Sequence, residues 1–265
     1  MGKRWTEQEN IYLKQNYELI SYKEIAVNLQ RTIESVSNQV RKLSLYNSKG
    51  CGNNKMSHKR QYEINESFFK VPNILNCYWA GFLAADGNVR KKDYRTYVCL
   101  QNGDKEHLNK LKQDIEYSGE IKNYSGAAVL SINSRKIYED LMKNFNIVPK
   151  KSLILKPPKL NDIDLILSFF VGYLDGDGTI YETIYKEKYH YINSAIIGTE
   201  EMMIWFKEVL EKELNIVLPK IQKHKNVYKL CFNGKTFITI FNRIKDYQIP
   251  KLERKWSLIN GTQDF

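Results

Sequence analysis

The chain has 265 residues, 42% hydrophobic and 27% charged, enough for one large or two modest domains with a proper core. No apolar run reaches the roughly 18–20 residues that a membrane-spanning helix needs, and the start lacks a signal-peptide core, so an intracellular protein with no membrane partner is expected. The net charge of +11 divides as +5 over residues 1–70, +6 over 71–160 and zero over 161–265, and such a basic excess favours nucleic acid as partner.

Residues 1–45 read as a domain of three short helices. Thr6-x-x-Glu9 and Ser21-x-x-Glu24 are capping boxes that open the first two, and Thr32 is the N-cap expected for the third. In the third, Ile33, Val36, Val40 and Leu43 recur at 3-4-3 spacing and are expected on the core side with Trp5, Leu13, Ile25 and Leu29. The opposite face carries Glu34, Ser37, Asn38, Arg41 and Lys42. A short second helix, a tight turn and a polar third helix form the layout of a helix-turn-helix, whose last helix enters the major groove. Ser37, Asn38, Arg41 and Lys42 are therefore candidate DNA contacts. The stretch resembles the Myb-like or helix-turn-helix modules at the ends of phage and bacterial nucleases; a non-binding three-helix cap would share its pattern.

Residues 46–61 are rich in Gly, Asn and Lys without periodicity, a linker by composition. The segment holds no acids, which suits tracking along phosphates and equally suits a plain tether. The cysteines (Cys51, Cys77, Cys99, Cys231) are scattered without a C-x-x-C pair and read as reduced thiols; Cys51 and His58 alone make no zinc site.

Two stretches of the remaining chain share a pattern. Ala80-Gly81-Phe82-Leu83-Ala84-Ala85-Asp86-Gly87 and Val171-Gly172-Tyr173-Leu174-Asp175-Gly176-Asp177-Gly178 place their final aspartates 91 residues apart. A repeat on that scale indicates a duplicated half-domain. Each motif ends an apolar, helix-compatible segment (Ile74 to Ala85, Ile163 to Leu174), and Gly87 and Gly178 stand where a C-cap in the left-handed conformation is expected. Asp86 and Asp177 then fall in the last helical turn, where the dipole disfavours a carboxylate by about 0.3–1 kcal/mol. Carboxylates there twice over point to a bound cation. Gly81 and Gly172, costing about 1 kcal/mol each against Ala inside a helix, provide a smooth surface for another backbone.

After the first motif the chain reads as strand 95–101, a helix capped by Asp104, strands 120–124 and 127–132, and helix 135–145. After the second come strands 179–185 and 189–197, helix 200–214, strands 219–223 and 227–232, and helix 235–245. Both halves, 62–156 and 157–265, read αββαββα, and each ends in a basic pair containing Lys151 or Lys255. The expected fold class is α+β.

The paired motifs, the repeated element order and the terminal lysines resemble a single-chain LAGLIDADG homing endonuclease over roughly residues 62–260. The resemblance implies two pseudo-symmetric half-domains with saddle-shaped antiparallel sheets, acting as a monomer on a long asymmetric double-stranded DNA target. It implies that Asp86 and Asp177, with the carbonyls of Ala85 and Gly176, bind Mg2+ (or Mn2+). It also assigns polar pocket roles to Gln101, Lys151 and Lys255. The second half offers no glutamine matching Gln101, only Ile196-Ile197-Gly198, and Ala84 replaces the aspartate present as Asp175, which implies unequal half-sites. Strand parity counted from Asp86 puts Arg90, Lys92, Thr96 and Val98 on the DNA face, and from Asp177 it puts Tyr181, Thr183 and Tyr185 there. The alternative is a non-cleaving binder on the same fold, a transcription regulator or a maturase with intron RNA as partner.

Overall fold

A computed structural model describes residues 4–17, 19–45, 62–186 and 188–260. The linker expected at 46–61 lies outside the described residues. The chain divides into two compact units, Met1–Tyr62 and Glu63–Phe265.

In the first unit, α1 (Glu7–Asn16), α2 (Tyr22–Asn28) and α3 (Ile33–Lys42) close on a small core of Leu13, Ile25, Ala26, Val36 and Val40. Both capping boxes form. The Glu9 amide donates to Thr6 Oγ1 at 3.2 Å while Glu9 Oε2 accepts from the Thr6 amide at 2.7 Å, and Ser21 and Glu24 repeat the arrangement. One expectation is corrected: Ile33 is 52% exposed. It occupies the first position after the Thr32 cap, and the buried line of α3 runs instead through Val36, Gln39 and Val40. Gln39 is admitted there because its Nε2 donates to Asn10 Oδ1 at 2.7 Å.

The second unit repeats one plan. Its first half runs α4 (Ile74–Ala85), β1 (Gly87–Arg90), β2 (Arg95–Gln101), α5 (Lys105–Asp114), β3 (Lys122–Tyr124), β4 (Ala127–Asn133) and α6 (Arg135–Phe145). The second runs α7 (Ile163–Asp177), β5 (Gly178–Tyr185), β6 (Tyr189–Gly198), α8 (Glu200–Leu214), β7 (Gln222–His224), β8 (Val227–Phe232) and α9 (Gly234–Ile244). Each half makes a four-stranded antiparallel sheet, ordered β1-β2-β4-β3 and β5-β6-β8-β7. The repeat holds at the level of register. Gly87 pairs with Val98 and Val98 with Leu130; Gly178 pairs with Ile196 and Ile196 with Leu230. The halves differ at their ends. A last helix, α10 (Glu253–Asn260), follows the second half, where the first has a single 3-10 turn at Lys151–Leu153.

Helices α4 and α7 are buried almost all round, and one hydrophobic core runs through both halves. Their closeness depends on glycine. A Cβ at Gly81 would lie 1.9 Å from the carbonyl oxygen of Phe169, and one at Gly172 would lie 1.9 Å from that of Tyr78. The contact is reciprocal, as the repeat requires. The left-handed conformation expected at Gly87 and Gly178 is absent: Gly87 begins β1, and Gly178 is extended at φ −100°. Glycine is needed there for space, because a Cβ would come within 2.5 Å of the Leu83 or Leu174 carbonyl oxygen one turn back.

Candidate active site and nucleic-acid face

The packed helices α4 and α7 end together, and their ends carry Asp86 and Asp177. Asp86 opens to solvent and Asp177 is half-buried. Burial and, after it, the neighbouring Asp86 carboxylate raise the Asp177 pKa to about 6. Although its edge meets solvent, Asp86 is likewise raised by the desolvation its surroundings impose; Lys255 and then Lys151 offset part of the shift. For Asp177 the larger relief comes from Lys151 and the smaller from Lys255. Each aspartate is thus eased most by the lysine of the other half.

The lysines hold the helix ends. Lys151, 6% exposed, donates from Nζ to the Ala85 carbonyl at 2.7 Å. Lys255, 7% exposed, donates to the carbonyls of Leu174, Asp175, Gly176 and Gly178 at 3.0, 2.6, 3.2 and 2.7 Å. Burial lowers the pKa of both, that of Lys151 to about 8. The cation expected at these carbonyl ends of helices is therefore supplied in part by the chain itself. Ala85 and Gly176, assigned to metal by resemblance, each spend one carbonyl lone pair on an ammonium.

Two carboxylates at adjoining helix ends, one of them raising the other's pKa, form beside carbonyl oxygens a donor set suited to a hard divalent cation. No group of three or more His, Cys, Asp or Glu suited to a metal occurs among the described residues. A cation between Asp86 and Asp177 would complete its shell with water or phosphate oxygens, as magnesium commonly does.

Asp175 belongs to a different arrangement. It is 1% exposed, and its oxygens accept from Tyr78 Oη at 2.7 Å, Trp256 Nε1 at 2.7 Å and the Leu252 amide at 2.8 Å. Burial raises its pKa against these three donors. Since the Tyr78 proton goes to Asp175, the 2.9 Å contact from His107 Nε2 to Tyr78 Oη requires His107 to carry its proton on Nε2. Burial holds the His107 pKa down to about 3, so the ring is neutral. The network joins the two halves, and no equivalent of it surrounds Ala84. Ala84 and Phe169 correspond to Asp175 and Tyr78 through the 91-residue repeat, and Ser152, next to Lys151, corresponds to Trp256, next to Lys255.

Gln101 closes β2 on the exposed side, and its Nε2 reaches Asp104 Oδ2 at 3.3 Å. The expected capping role of Asp104 is corrected: its side chain caps nothing and instead accepts from Arg254 Nε at 2.9 Å through both oxygens. Asp104 and Arg254 thereby tie the Gln101 corner to α10. Sequence reasoning missed this pair, since Asp before a helix reads as a cap. Register also identifies the counterpart of Gln101 as Thr199, one residue beyond the expected stretch. Thr199 caps α8 and donates its hydroxyl to the Leu155 carbonyl at 2.7 Å.

The outer sheet faces correct the parity count in the first half. Thr96 and Val98 are each 1% exposed and face the core. The connection between β1 and β2 contains a 3-10 turn at Lys91–Asp93, and the strands resume with Arg90 opposite Arg95. Cross-strand partners share a face, so the outward residues are Asn88, Arg90, Arg95, Tyr97, Cys99 and Gln101. Counting back from Gln101 would have found Arg95 and Tyr97. Lys92 lies in the exposed turn, and Arg90 is engaged by Asp93 Oδ1 at 2.7 Å. In the second half Tyr181, Thr183 and Tyr185 are exposed, with Tyr189, Tyr191 and Asn193 beside them across the ladder. In the first unit, Asn38, Arg41 and Lys42 are exposed on α3 and Ser37 is half-buried.

No protein-family model and no curated protein matches the chain. Solved structures do. The chain is similar to the meganuclease I-SmaMI bound to uncleaveable DNA with a TTCT central four, at 14% identity over 71% of this chain and 91% of that one, with a TM-score of 0.49. It is similar to the LAGLIDADG homing endonuclease I-GzeII in complex with its DNA target, at 13% identity over 71% and 90% and a TM-score of 0.46. A third similarity is to the N-terminal LAGLIDADG domain of DUF199/WhiA, at 18% identity over 69% and 91% and a TM-score of 0.45. Among the described residues no helix is long and apolar enough to cross a membrane.

Proposed function

We propose that the chain is a site-specific, divalent-metal-dependent endonuclease of double-stranded DNA, acting as a monomer on an asymmetric target. The observation that carries the reading is the meeting of Asp86 and Asp177 at the ends of two helices packed glycine to backbone. A protein made only to bind DNA gains nothing from two mutually repelling carboxylates facing the phosphates. When bound, magnesium or manganese supplies Lewis-acid charge and an activated water. Asp86 and Asp177 would hold it. An ammonium beside them can offset charge developing on the phosphate, and Gln101 can orient solvent. Arg95 and Tyr97 on one sheet, and Tyr181, Thr183 and Tyr185 on the other, are placed to read base edges, with the three-helix unit adding contacts through α3.

A non-cleaving binder, whether transcription regulator or intron-RNA maturase, is the second reading. The engagement of the Ala85 and Gly176 carbonyls by lysines favours it, because ammonium competes with metal for those oxygens. One experiment separates the two. The protein is incubated with DNA carrying a candidate insertion site, with magnesium or with EDTA, beside Asp86→Asn and Asp177→Asn. Cleavage that needs magnesium and is lost in both variants is expected. Tight specific binding by the wild type with no cleavage in magnesium or manganese would leave the binder.

A further inference from the structure

The two lysines of the site are equally buried but not equally bonded. Lys255 presents three N–H donors to four carbonyl oxygens, all from the end of α7 and the start of β5, at 2.6–3.2 Å. Its hydrogen-bonding capacity is spent. It is also held from behind: Asp175 accepts from the Leu252 amide just before α10 and from Trp256, the neighbour of Lys255 within it. Lys151 donates to one carbonyl, that of Ala85, and sits on a single 3-10 turn where the second half has a helix. Among the described residues its other two donors have no partner, and Asp177 and then Asp86 are the charges that act on it most.

We infer that the lysines have separated roles: Lys255 is a structural clamp on the end of α7, and Lys151 is the one left with donors for the reacting phosphate. The inference rests on the endonuclease reading for its last clause only; the division of bonding stands without it. On that division, loss of Lys151 falls on the chemistry of one strand and loss of Lys255 on the fold that serves both.

The bonding is tested first, in metal-free protein without DNA. Native-state reductive methylation with formaldehyde and cyanoborohydride, mapped by peptide mass, should modify Lys151 well before Lys255, although both are equally inaccessible. Equal labelling, or faster labelling of Lys255, overturns the inference whether or not the protein cuts DNA. The catalytic clause is read on a target-bearing plasmid by strand-resolved kinetics. Lys151→Met should slow one strand by about 100-fold, the scale of removing one transition-state donor, and change the ratio of the two strand rates. Lys255→Met should lower the melting temperature and slow both strands by a common factor. A change of strand ratio in Lys255→Met but not in Lys151→Met overturns the assignment. Should Lys255→Met fail to fold, Lys255→Arg, which keeps donors, is measured in its place, and a changed strand ratio in it counts against the clamp.

Discussion

Thr96 illustrates how one side chain can be misplaced by counting and restored by burial. Its hydroxyl, and that of Ser194 at the matching place in the other half, is buried with no hydrogen-bond partner among the described residues. An unpaired buried hydroxyl costs roughly 1–3 kcal/mol, and an apolar group of the same shape removes that cost. Thr96→Val should therefore raise stability by about 1 kcal/mol in a denaturant titration and leave DNA affinity unchanged. A loss of affinity would return Thr96 to the DNA face. The exchange of Asp175 for Ala84 between the motifs is explained at this scale too. An aspartate needs the hydroxyl of Tyr78 and the indole of Trp256, and the corresponding residues for position 84, Phe169 and Ser152, offer neither.

At the scale of elements, the pairing of α4 with α7 decides the site. Each glycine takes the other helix's backbone at a distance that admits no methyl group, so Gly81→Ala or Gly172→Ala must push the helices apart. Overpacking of this kind costs about 1–3 kcal/mol, with backbone as the obstacle placing it at the upper end. Both variants should unfold at lower denaturant, and Asp86 and Asp177 should lose their mutual coupling. The helices of the first unit depend on a different device. Glu9 accepts from Arg31 and the Thr6 amide, and the Arg31 bond is the main reason its pKa falls to about 2. The folded pKa lies below the unfolded value of 4.5, so this stabilisation is complete above pH 4.5 and disappears as the pH falls toward 2. Fluorescence of Trp5, over which Arg31 stacks at 4.4 Å, should report acid unfolding in that window. Glu9→Gln should flatten the dependence; an unchanged acid midpoint would show that Glu9 is not responsible.

Taken whole, the molecule is two independently cored units, one of them itself a duplicated pair of halves. Because Glu63–Phe265 has its own continuous core, a chain lacking residues 1–62 should keep a cooperative melt and, on the proposed endonuclease function, cleavage of saturated DNA. Its DNA affinity should fall and its salt dependence weaken, since fewer phosphates are neutralised. Filter binding across a salt series checks both. Loss of cleavage at saturation would mean that the first unit contributes to the chemistry.

Much of this is written in local order. Capping boxes, the 3-4 spacing of α3, the alternation of strands and the two glycine-bearing motifs are short-range patterns, so the helices, the duplicated αββαββα plan and the pairing of Asp86 with Asp177 are legible in the residues alone. What depended on tertiary contact was not. A 3-10 turn reversed the parity of β2 and exchanged Thr96 and Val98 for Arg95 and Tyr97. A partner 150 residues away turned Asp104 from a cap into the acceptor of Arg254. Two lysines alike in sequence became unlike in bonding, because only one of them lies on a helix that Asp175 holds against α7. Such differences are set by which groups from distant parts of the chain arrive at the same place, and no local spacing encodes that.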